Sequence, residues 1–448
     1  MEKREGGYRM KRAIALIASL AVVFMSDSAM AEHTVDSLPV SAGDTSFVLM
    51  SAALVLFMTV GLAFFYGGLV RRKNILSILM QCFFVMCLLS VQWILFGYTL
   101  SFGPDKGGII GGLDWIGLRG VGLAPSPDYG STVPQFAFMV FQGMFAVITP
   151  ALIVGAFAER MKFSAFCVFS IFWAFLVYNP VCHWVWGAGG FLAEMGALDF
   201  AGGTVVHINA GIAALVIAIV LGKRAGYPGR SIPPHNLPFT VLGAGILWFG
   251  WFGFNAGSAL AADGIAAGAF VATNSAAAAA GITWALIEWI REKNPTTLGT
   301  ATGAVAGLVA VTPAAGFVGP VSAMIIGAGS SILGYIAVAY IKPALGYDDS
   351  LDAFGVHGVG GIWGALATGL FASTAVNPGG ANGLFMGNPK QLWLQFAGVA
   401  VTIIYSLIVT FIIAKLVDKT IGLRAELRDE QMGLDLTQHH ESGYTVLD

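Results

Sequence analysis

Charge is scarce in this sequence. Only 11% of its 448 residues are Asp, Glu, Lys or Arg, whereas 56% are hydrophobic. A soluble protein of this length needs far more charge to cover its surface. The net charge of −2 also argues against nucleic acid as a partner, because such a surface needs a strong excess of positive charge. The composition therefore predicts a polytopic helical membrane protein in contact with lipid.

Reactive motifs are scarce as well. The cysteines form no CxxC pair, and three of them lie in apolar stretches, where we interpret them as small hydrophobic residues. No nucleophile motif, no metal-spaced cluster and no phosphate-binding glycine loop is found. The sequence thus predicts neither an enzyme nor a bound cofactor or metal. The four cysteines are Cys82, Cys87, Cys167 and Cys182.

The N-terminus has the pattern of a secretory signal peptide. Lys11 and Arg12 precede an apolar run at 13–25, and the small-residue site Ala29-Met30-Ala31 follows. A first transmembrane helix is the alternative, but the run is short for one. We predict that residues 1–31 are cleaved and that the mature chain begins outside the cytoplasm.

Eleven apolar segments of roughly membrane length follow. They predict a transmembrane domain over 32–417 and a cytoplasmic C-terminal tail over 418–448. The expected fold is an all-α polytopic membrane protein of eleven transmembrane helices, arranged as two inverted five-helix repeats, 46–222 and 238–375, plus a long final helix, 391–416. The segments are 46–70, 75–101, 133–158, 164–180, 203–222, 238–257, 265–290, 297–313, 317–341, 354–375 and 391–416.

Lysine and arginine set the orientation, because cytoplasmic loops hold an excess of them. Alternate loops and the C-terminal end hold most of the basic residues, whereas the other loops hold only Lys106, Arg119 and Lys390. The mature N-terminus is therefore expected outside and the tail inside, in agreement with the signal peptide. In a bacterial cell this topology corresponds to the inner, or plasma, membrane.

Two histidines lie inside apolar segments, where an ionisable side chain is costly to keep. They are His207 in the fifth segment and His357 in the tenth. A single such histidine is as readily explained by hydrogen-bonded packing. Two histidines in matching settings favour a pathway for a substrate or an ion. Each lies on the last segment of its half. Because five is odd, the halves enter the membrane from opposite sides, as in transporters built from inverted repeats.

Aromatic residues cluster near the predicted outer side. Trp186, Phe145 and the hydroxyl of Ser258 come from three different segments and are candidates for one vestibule. Aromatic faces with one acceptor suit a small cation, whose attraction is worth about 2 kcal/mol when desolvated. An ordinary aromatic belt at the membrane interface is the alternative, and composition alone favours it.

The two histidine-bearing segments contain no acidic or basic residue, so a bare cation is costly there, at about 2.5–3.5 kcal/mol even on insertion scales. Burial disfavours charged imidazole, and both rings are therefore expected to be neutral. The pattern indicates a mouth that attracts a cation above a conduit that favours a neutral species. Ammonium and ammonia form such a pair.

The chain closely resembles the bacterial Amt branch of the ammonium transporter family (Amt/Mep/Rh). The resemblance covers nearly the whole mature chain and rests on long segments in the family's order. They include FFYGGLVRRKN, AFQGMFAVITP, ALIVGAFAERMKFSA, GALDFAGGTVVHINAG, PPHNLP, GWFGFNAGSA, DDSLDAFGVHGVGGIWG and GLRAELRDEQMGLDLTQHHESGY.

The resemblance implies roles for individual residues. The family's external ammonium site falls on Phe145, Trp186 and Ser258, and its phenylalanine gate on Phe145 and Phe254. An acidic residue that supports the external site without touching the ion falls on Asp199, and the paired pore histidines are the two named above. The sequence departs from the family's simpler pattern just before Trp186, where Cys182, His183 and Trp184 stand.

The resemblance also implies activity and partners. The family takes up ammonium, deprotonates it and conducts ammonia, with the proton following a separate route. It forms homotrimers in the lipid membrane and is inhibited by a trimeric PII-type protein at the cytoplasmic exit. Small-residue pairs at 253–257 and 303–307 permit close helix contact. An ammonium sensor with the same fold is the alternative, although no signalling domain follows the last segment.

Overall fold

The computed structural model describes residues 39–229 and 232–444, which excludes the predicted signal peptide. Within them the chain is mostly helical, which confirms the predicted fold class. Ten helices are long and apolar enough to cross a membrane, and α8 is a shorter apolar helix. The helices are α1 (Ala42–Leu69), α2 (Arg72–Phe102), α3 (Gln135–Phe157), α4 (Phe163–Met195), α5 (Gly203–Leu221), α6 (Leu237–Ala259), α7 (Gly264–Glu292), α8 (Thr297–Val311), α9 (Pro320–Leu345), α10 (Phe354–Phe371) and α11 (Pro389–Ile421).

The predicted segments differ from the helices by a few residues at several ends, and three differences affect the topology most. The fourth segment, predicted to end at residue 180, continues to Met195 with a break after Trp186. The eighth corresponds to α8, whose 15 residues fall short of the usual membrane length. The final helix ends at Ile421 rather than at 416, because Gly422, with a φ of 76°, terminates it. Eleven crossings and their orientation stay predictions.

Side chains cap the first turns of several of these helices, whose first backbone N–H groups have no partner within the helix. Ser41 caps α1 by accepting from the backbone N–H of Asp44 at 3.2 Å. Asp263 caps α7 and Thr296 caps α8 in the same way. Each side-chain oxygen accepts from the backbone N–H three residues later, at 2.9 and 2.8 Å. Each cap replaces a backbone bond that the first turn lacks, and so fixes where these helices begin.

Helices α5 and α10, which carry the two histidines, contact each other reciprocally. A Cβ atom on Gly211 of α5 would lie 2.2 Å from the backbone nitrogen of Gly358, and one on Gly361 of α10 would lie 2.9 Å from that of Ile208. Each glycine comes four residues after its half's histidine. Only glycine permits this approach of two backbones. The reciprocity supports the predicted inverted repeat.

The small-residue pairs named above pack inside the chain. A Cβ atom on Gly303 or Gly307 of α8 would collide with α7, in the second case 2.4 Å from the Cβ atom of Ala280. Gly253 and Gly257 of α6 lie equally close to α1. These motifs therefore close helix pairs within one subunit, and they are not available for contact between subunits.

Two antiparallel ladders lie in the connection between α2 and α3. In the first, Asp105 pairs with Gly111 and Lys106 with Ile110. In the second, Pro125 pairs with Pro134 and Ser126 with Gly130. We call the face that carries these ladders the outer face, and the face that carries the C-terminal tail the tail face. The strands are β1 (Asp105–Lys106), β2 (Ile110–Gly111), β3 (Pro125–Ser126) and β4 (Gly130–Pro134).

A buried charge network joins the loops of the tail face. The carboxylate of Glu159 lies 2.8 Å from Arg71 and 3.5 Å from Arg224, and Arg224 also pairs with Asp348 at 2.8 Å. Burial opposes the charge on Glu159, but the bond and charge of Arg71 and the charge of Arg224 hold its pKa below the ordinary value. The network brings together loops that the distribution of lysine and arginine predicts on one side of the membrane.

The tail folds onto this network. It forms two short helices, α12 (Leu427–Met432) and α13 (Leu434–His439). Glu430 of α12 is fully buried and accepts from the backbone N–H of Ala225 and from Arg424. At the start of α13, the backbone N–H of Leu434 donates to the side-chain oxygen of Asn74 at 2.8 Å. The tail is therefore a docked part of the fold.

Replacing Glu430 by Gln should loosen the tail, because charge-assisted hydrogen bonds contribute about 1.5–3 kcal/mol. Limited trypsin digestion near Arg424 and Arg428 should accelerate on the order of tenfold or more. Glu426→Gln is the matched control, since Glu426 lies one turn earlier and is exposed. Equal digestion rates for the two variants would show that Glu430 does not hold the tail.

Candidate functional site

The two histidine rings lie side by side at the starts of α5 and α10. Each belongs to a wide π-helical first turn, Gly203–Ile208 in α5 and Phe354–Gly358 in α10, a geometry often found at functional sites. The centres of the His207 and His357 rings are 5.4 Å apart, with their planes inclined by 16°. Both residues are buried, at 1% and 3% exposure. The structure thus brings together the two histidines singled out from the sequence.

The rings are adjacent but not hydrogen-bonded to each other. Within the described residues, both nitrogens of His207 and Nδ1 of His357 are buried without a partner. The inverted repeat predicts that the two rings meet across the pore axis with a nitrogen–nitrogen hydrogen bond of about 2.7–3.2 Å, and this part of the prediction is wrong. That bond also requires the N–H of one ring to point along the lone pair of the other, and proximity alone does not provide it. A buried unpaired polar atom costs about 1–3 kcal/mol, so these nitrogens favour a polar guest.

An apolar cavity surrounds the histidines. Its volume suits about one water-sized molecule, and its lining contains no Asp, Glu, Lys or Arg. Among the described residues, no cluster of His, Cys, Asp and Glu could hold a metal ion. Besides the two histidines the lining residues are Met58, Leu62, Ile148, Leu152, Val206, Leu247, Trp251, Phe254 and Val305.

Trp251 is a pore residue that the sequence reasoning missed. Its ring is stacked on His207, with centres 5.4 Å apart and planes inclined by 24°. The indole N–H donates to the hydroxyl of Thr312 at 2.9 Å. The indole therefore holds its orientation and presents an apolar face to the imidazole. Its neighbourhood is rich in aromatics, so composition alone did not distinguish it.

Two phenylalanines close the cavity toward the outer face. The ring centres of Phe145 and Phe254 are 4.2 Å apart, and both side chains are at most 1% exposed. The ring of Phe254 is also 6.0 Å from that of His207. The two rings predicted as a gate thus lie in contact directly beside the histidine pair.

A second cavity, of about 290 Å³, opens at the outer face. Trp186 and Ser258 both line it, whereas the buried Phe145 lies beneath, with its ring centre 5.8 Å from that of Trp186 and perpendicular to it. The Ser258 hydroxyl donates to the carbonyl of Phe254 at 2.9 Å, which leaves its oxygen free to accept. The three residues predicted to converge are neighbours, but Phe145 forms the floor of the vestibule and not its wall.

Asp199 acts on this vestibule through the backbone. Its carboxylate accepts four backbone N–H groups at the start of α5, at 2.7–3.2 Å, and its carbonyl accepts the indole N–H of Trp186 at 2.8 Å. Burial raises the pKa of Asp199, and the four N–H bonds oppose that rise. With its acceptors occupied, Asp199 holds the turn before His207 and the ring of Trp186. The donors are Gly202, Gly203, Thr204 and Val205.

Asp349 is the counterpart of Asp199 in the second half, and we had not singled it out. It accepts from the backbone N–H groups of Ala353 and Phe354 at 3.1 and 2.7 Å. It precedes His357 by eight residues, as Asp199 precedes His207. Burial raises its pKa to about 6, Lys342 lowers it and Asp352 raises it. The spacing Asp-x7-His-x3-Gly, present twice in the chain, is the signal that would have revealed it.

Comparison with known proteins shows which family the chain is similar to. A family model described as the Ammonium Transporter Family matches residues 46–444. The ammonium transporter of Bacillus subtilis (strain 168) is 55% identical over 402 residues, which cover 90% of this chain and 98% of that protein.

Solved structures are similar over most of the chain. The crystal structure of Candida albicans Mep2 has a TM-score of 0.82 at 37% identity, and the match covers 90% of this chain and 89% of that one. A structure described as a sensor Amt protein has a TM-score of 0.82 at 32% identity, covering 88% and 98%. The family match over residues 46–444, together with these likenesses, shows that this chain belongs to the ammonium transporter family.

Proposed function

We propose that the protein recruits ammonium at the outer vestibule, deprotonates it near the phenylalanine gate and conducts ammonia past the two histidines. The proton follows a separate route. The observation that carries this proposal is a pair of buried imidazoles in a cavity lined by no charged side chain; both nitrogens of His207 and Nδ1 of His357 lack a partner among the described residues. Such a conduit offers hydrogen bonds to a neutral guest and nothing to balance an ion.

The vestibule and the pore differ in what they favour. At the mouth, the indole face of Trp186 and the oxygen of Ser258 attract a desolvated cation, with the ring contributing about 2 kcal/mol. In the pore a bare charge costs about 2.5–3.5 kcal/mol or more. Ammonium avoids this cost by leaving its proton behind, whereas potassium has no proton to release. The same two compartments thus provide uptake and selectivity.

Ammonium sensing is the second candidate function. The likeness to a sensor Amt protein supports it, because the same fold then serves in signalling. The docked tail offers an element whose release could follow the state of the pore. A signalling response that persists in a transport-dead variant would favour this function over transport.

The remaining assignments are proposals that rest on the family resemblance and the charge pattern. We place the protein in the inner membrane, with the signal peptide cleaved and the tail in the cytoplasm. We propose a homotrimer with one pore in each subunit. Its contacts must come from the exposed apolar helix faces, since the small-residue pairs are occupied within the subunit. We also propose that a PII-type protein docks on the tail face.

The first functional prediction concerns Trp186. Trp186→Leu should reduce the selectivity for ammonium over potassium by about tenfold or more, because the ring's attraction of about 2 kcal/mol is lost. Ion-substitution currents in proteoliposomes measure this ratio. Trp393→Leu is the control, since Trp393 is 64% exposed on the helix surface. If both variants keep the wild-type ratio, the aromatics are only an interfacial belt.

The second prediction concerns the histidines. His207→Ala or His357→Ala should abolish ammonium-dependent current, because each removes a polar step and widens the pore, and leakage of other cations should rise. Replacement by Glu keeps a polar lining and should retain some activity. Expression and thermal stability of each variant serve as controls. Wild-type ammonium current in the double alanine variant would refute the histidine conduit.

The third prediction concerns regulation. A PII-type protein should be recovered with the full chain from nitrogen-replete cells, and deletion of residues 424–448 should prevent its recovery. The docked tail and the loop with Lys223 and Arg224 form the expected contact. Undiminished recovery with the truncated chain would exclude the tail from the interface.

A further inference from the structure

A histidine outside the pore lies one turn before Trp186. His183 belongs to the part of α4 that ends at Trp186, and its side chain is fully buried. Its Nδ1 atom is 3.0 Å from the carbonyl oxygen of Ser101, at the end of α2. Its Nε2 atom is 2.9 Å from Oδ1 of Asp105, in β1. The ring thus connects α4 to the end of α2 and to β1 at the outer face.

Both neighbours of the ring are hydrogen-bond acceptors. A backbone carbonyl can only accept, and an ionised carboxylate can only accept. The bond from His183 lowers the pKa of Asp105, which favours the ionised carboxylate. Only a ring that donates from both of its nitrogens satisfies both acceptors.

The pair is coupled to Trp186 through the chain that follows it. Three residues along a helix correspond to a rise of about 4.5 Å, so His183 and Trp186 lie on neighbouring turns of the same side of α4. The backbone after Trp186 then folds over the pair. A Cβ atom on Gly187 would lie 2.4 Å from Nδ1 of His183, and one on Gly189 would lie 2.8 Å from the Cβ atom of Asp105. Only glycines permit this close fit.

We propose that Asp105 and His183 form a charge-balanced pair that positions Trp186 and sets the affinity of the outer vestibule for its cation. The inference rests on the proposed function of that vestibule. A positive imidazolium one turn from a cation site repels the cation unless a negative charge compensates it, and Asp105 supplies that charge. The titratable side chain of Tyr129 is also held against this part of the chain, because its hydroxyl accepts from the backbone N–H of Ala188 at 2.9 Å.

The test compares Asp105→Asn, His183→Gln and the double variant by ammonium-dependent current. Asp105→Asn leaves the positive charge uncompensated, so the apparent KM for ammonium should rise about tenfold while the maximal current stays within about twofold. His183→Gln leaves the vestibule more negative and should raise KM much less. The double variant removes both charges, and its KM should return toward the wild-type value.

Asp114→Asn is the matched control, because Asp114 is an exposed carboxylate of the same outer connection. It removes an equal charge and should leave KM unchanged. A double variant whose KM equals or exceeds that of Asp105→Asn would overturn the proposal. So would an equal rise in KM for Asp114→Asn.

A substrate-free measurement separates this inference from the proposed function. In purified protein each single variant should lower Tm, and the double variant should fall no further than the worse single variant, because one interaction is lost only once. Additive losses in Tm would show that the two residues do not interact. Absence of ammonium current in the wild type would refute the proposed function, and the Tm comparison would still decide whether the pair exists.

Discussion

The close contact between the starts of α5 and α10 is the constraint on which the rest of the structure depends. Two wide turns meet backbone to backbone because Gly211 and Gly361 have no side chains. This contact places two imidazoles 5.4 Å apart in an interior where polar atoms are costly. Each turn is held at its start by an aspartate eight residues before the histidine, which accepts backbone N–H groups that would otherwise be unpaired. The carboxylates thus hold the turns and stay outside the pore.

The charged side chains lie at the two faces of the molecule, away from the cavity that contains the histidines. The described acidic and basic side chains concentrate at the tail face, where the network around Glu159 holds the loops and the tail, and at the outer face, where Asp105 meets His183. Between them the cavity is lined by aliphatic side chains, aromatics and two imidazoles. In the proposed function, a cation is therefore stabilised at the vestibule and destabilised in the cavity beyond it. This difference in environment, more than any single residue, supports the passage of a neutral species.

Much of this arrangement could be predicted from the sequence, since an imidazole in an apolar segment is conspicuous and helix length follows from hydropathy. Other features depend on distances that periodicity does not encode. The position of Phe145 beneath the vestibule depends on how α3 crosses α6, and the missing bond between the histidines depends on ring orientation. The spacing of the small-residue pairs indicates that they permit close helix contact, but it does not specify the helix that they contact. Asp349 was missed although its spacing to His357 repeats that of Asp199 to His207.

The most direct test of the account is a current measurement on the purified wild-type protein in proteoliposomes. Ammonium is raised at a fixed concentration of ammonia by lowering the external pH while the total concentration of ammonia plus ammonium is raised in proportion. The account predicts an inward current that rises and saturates with the ammonium concentration, because the vestibule binds the cation and its proton crosses by a separate route. A flux that follows the ammonia concentration alone, without current, would contradict it.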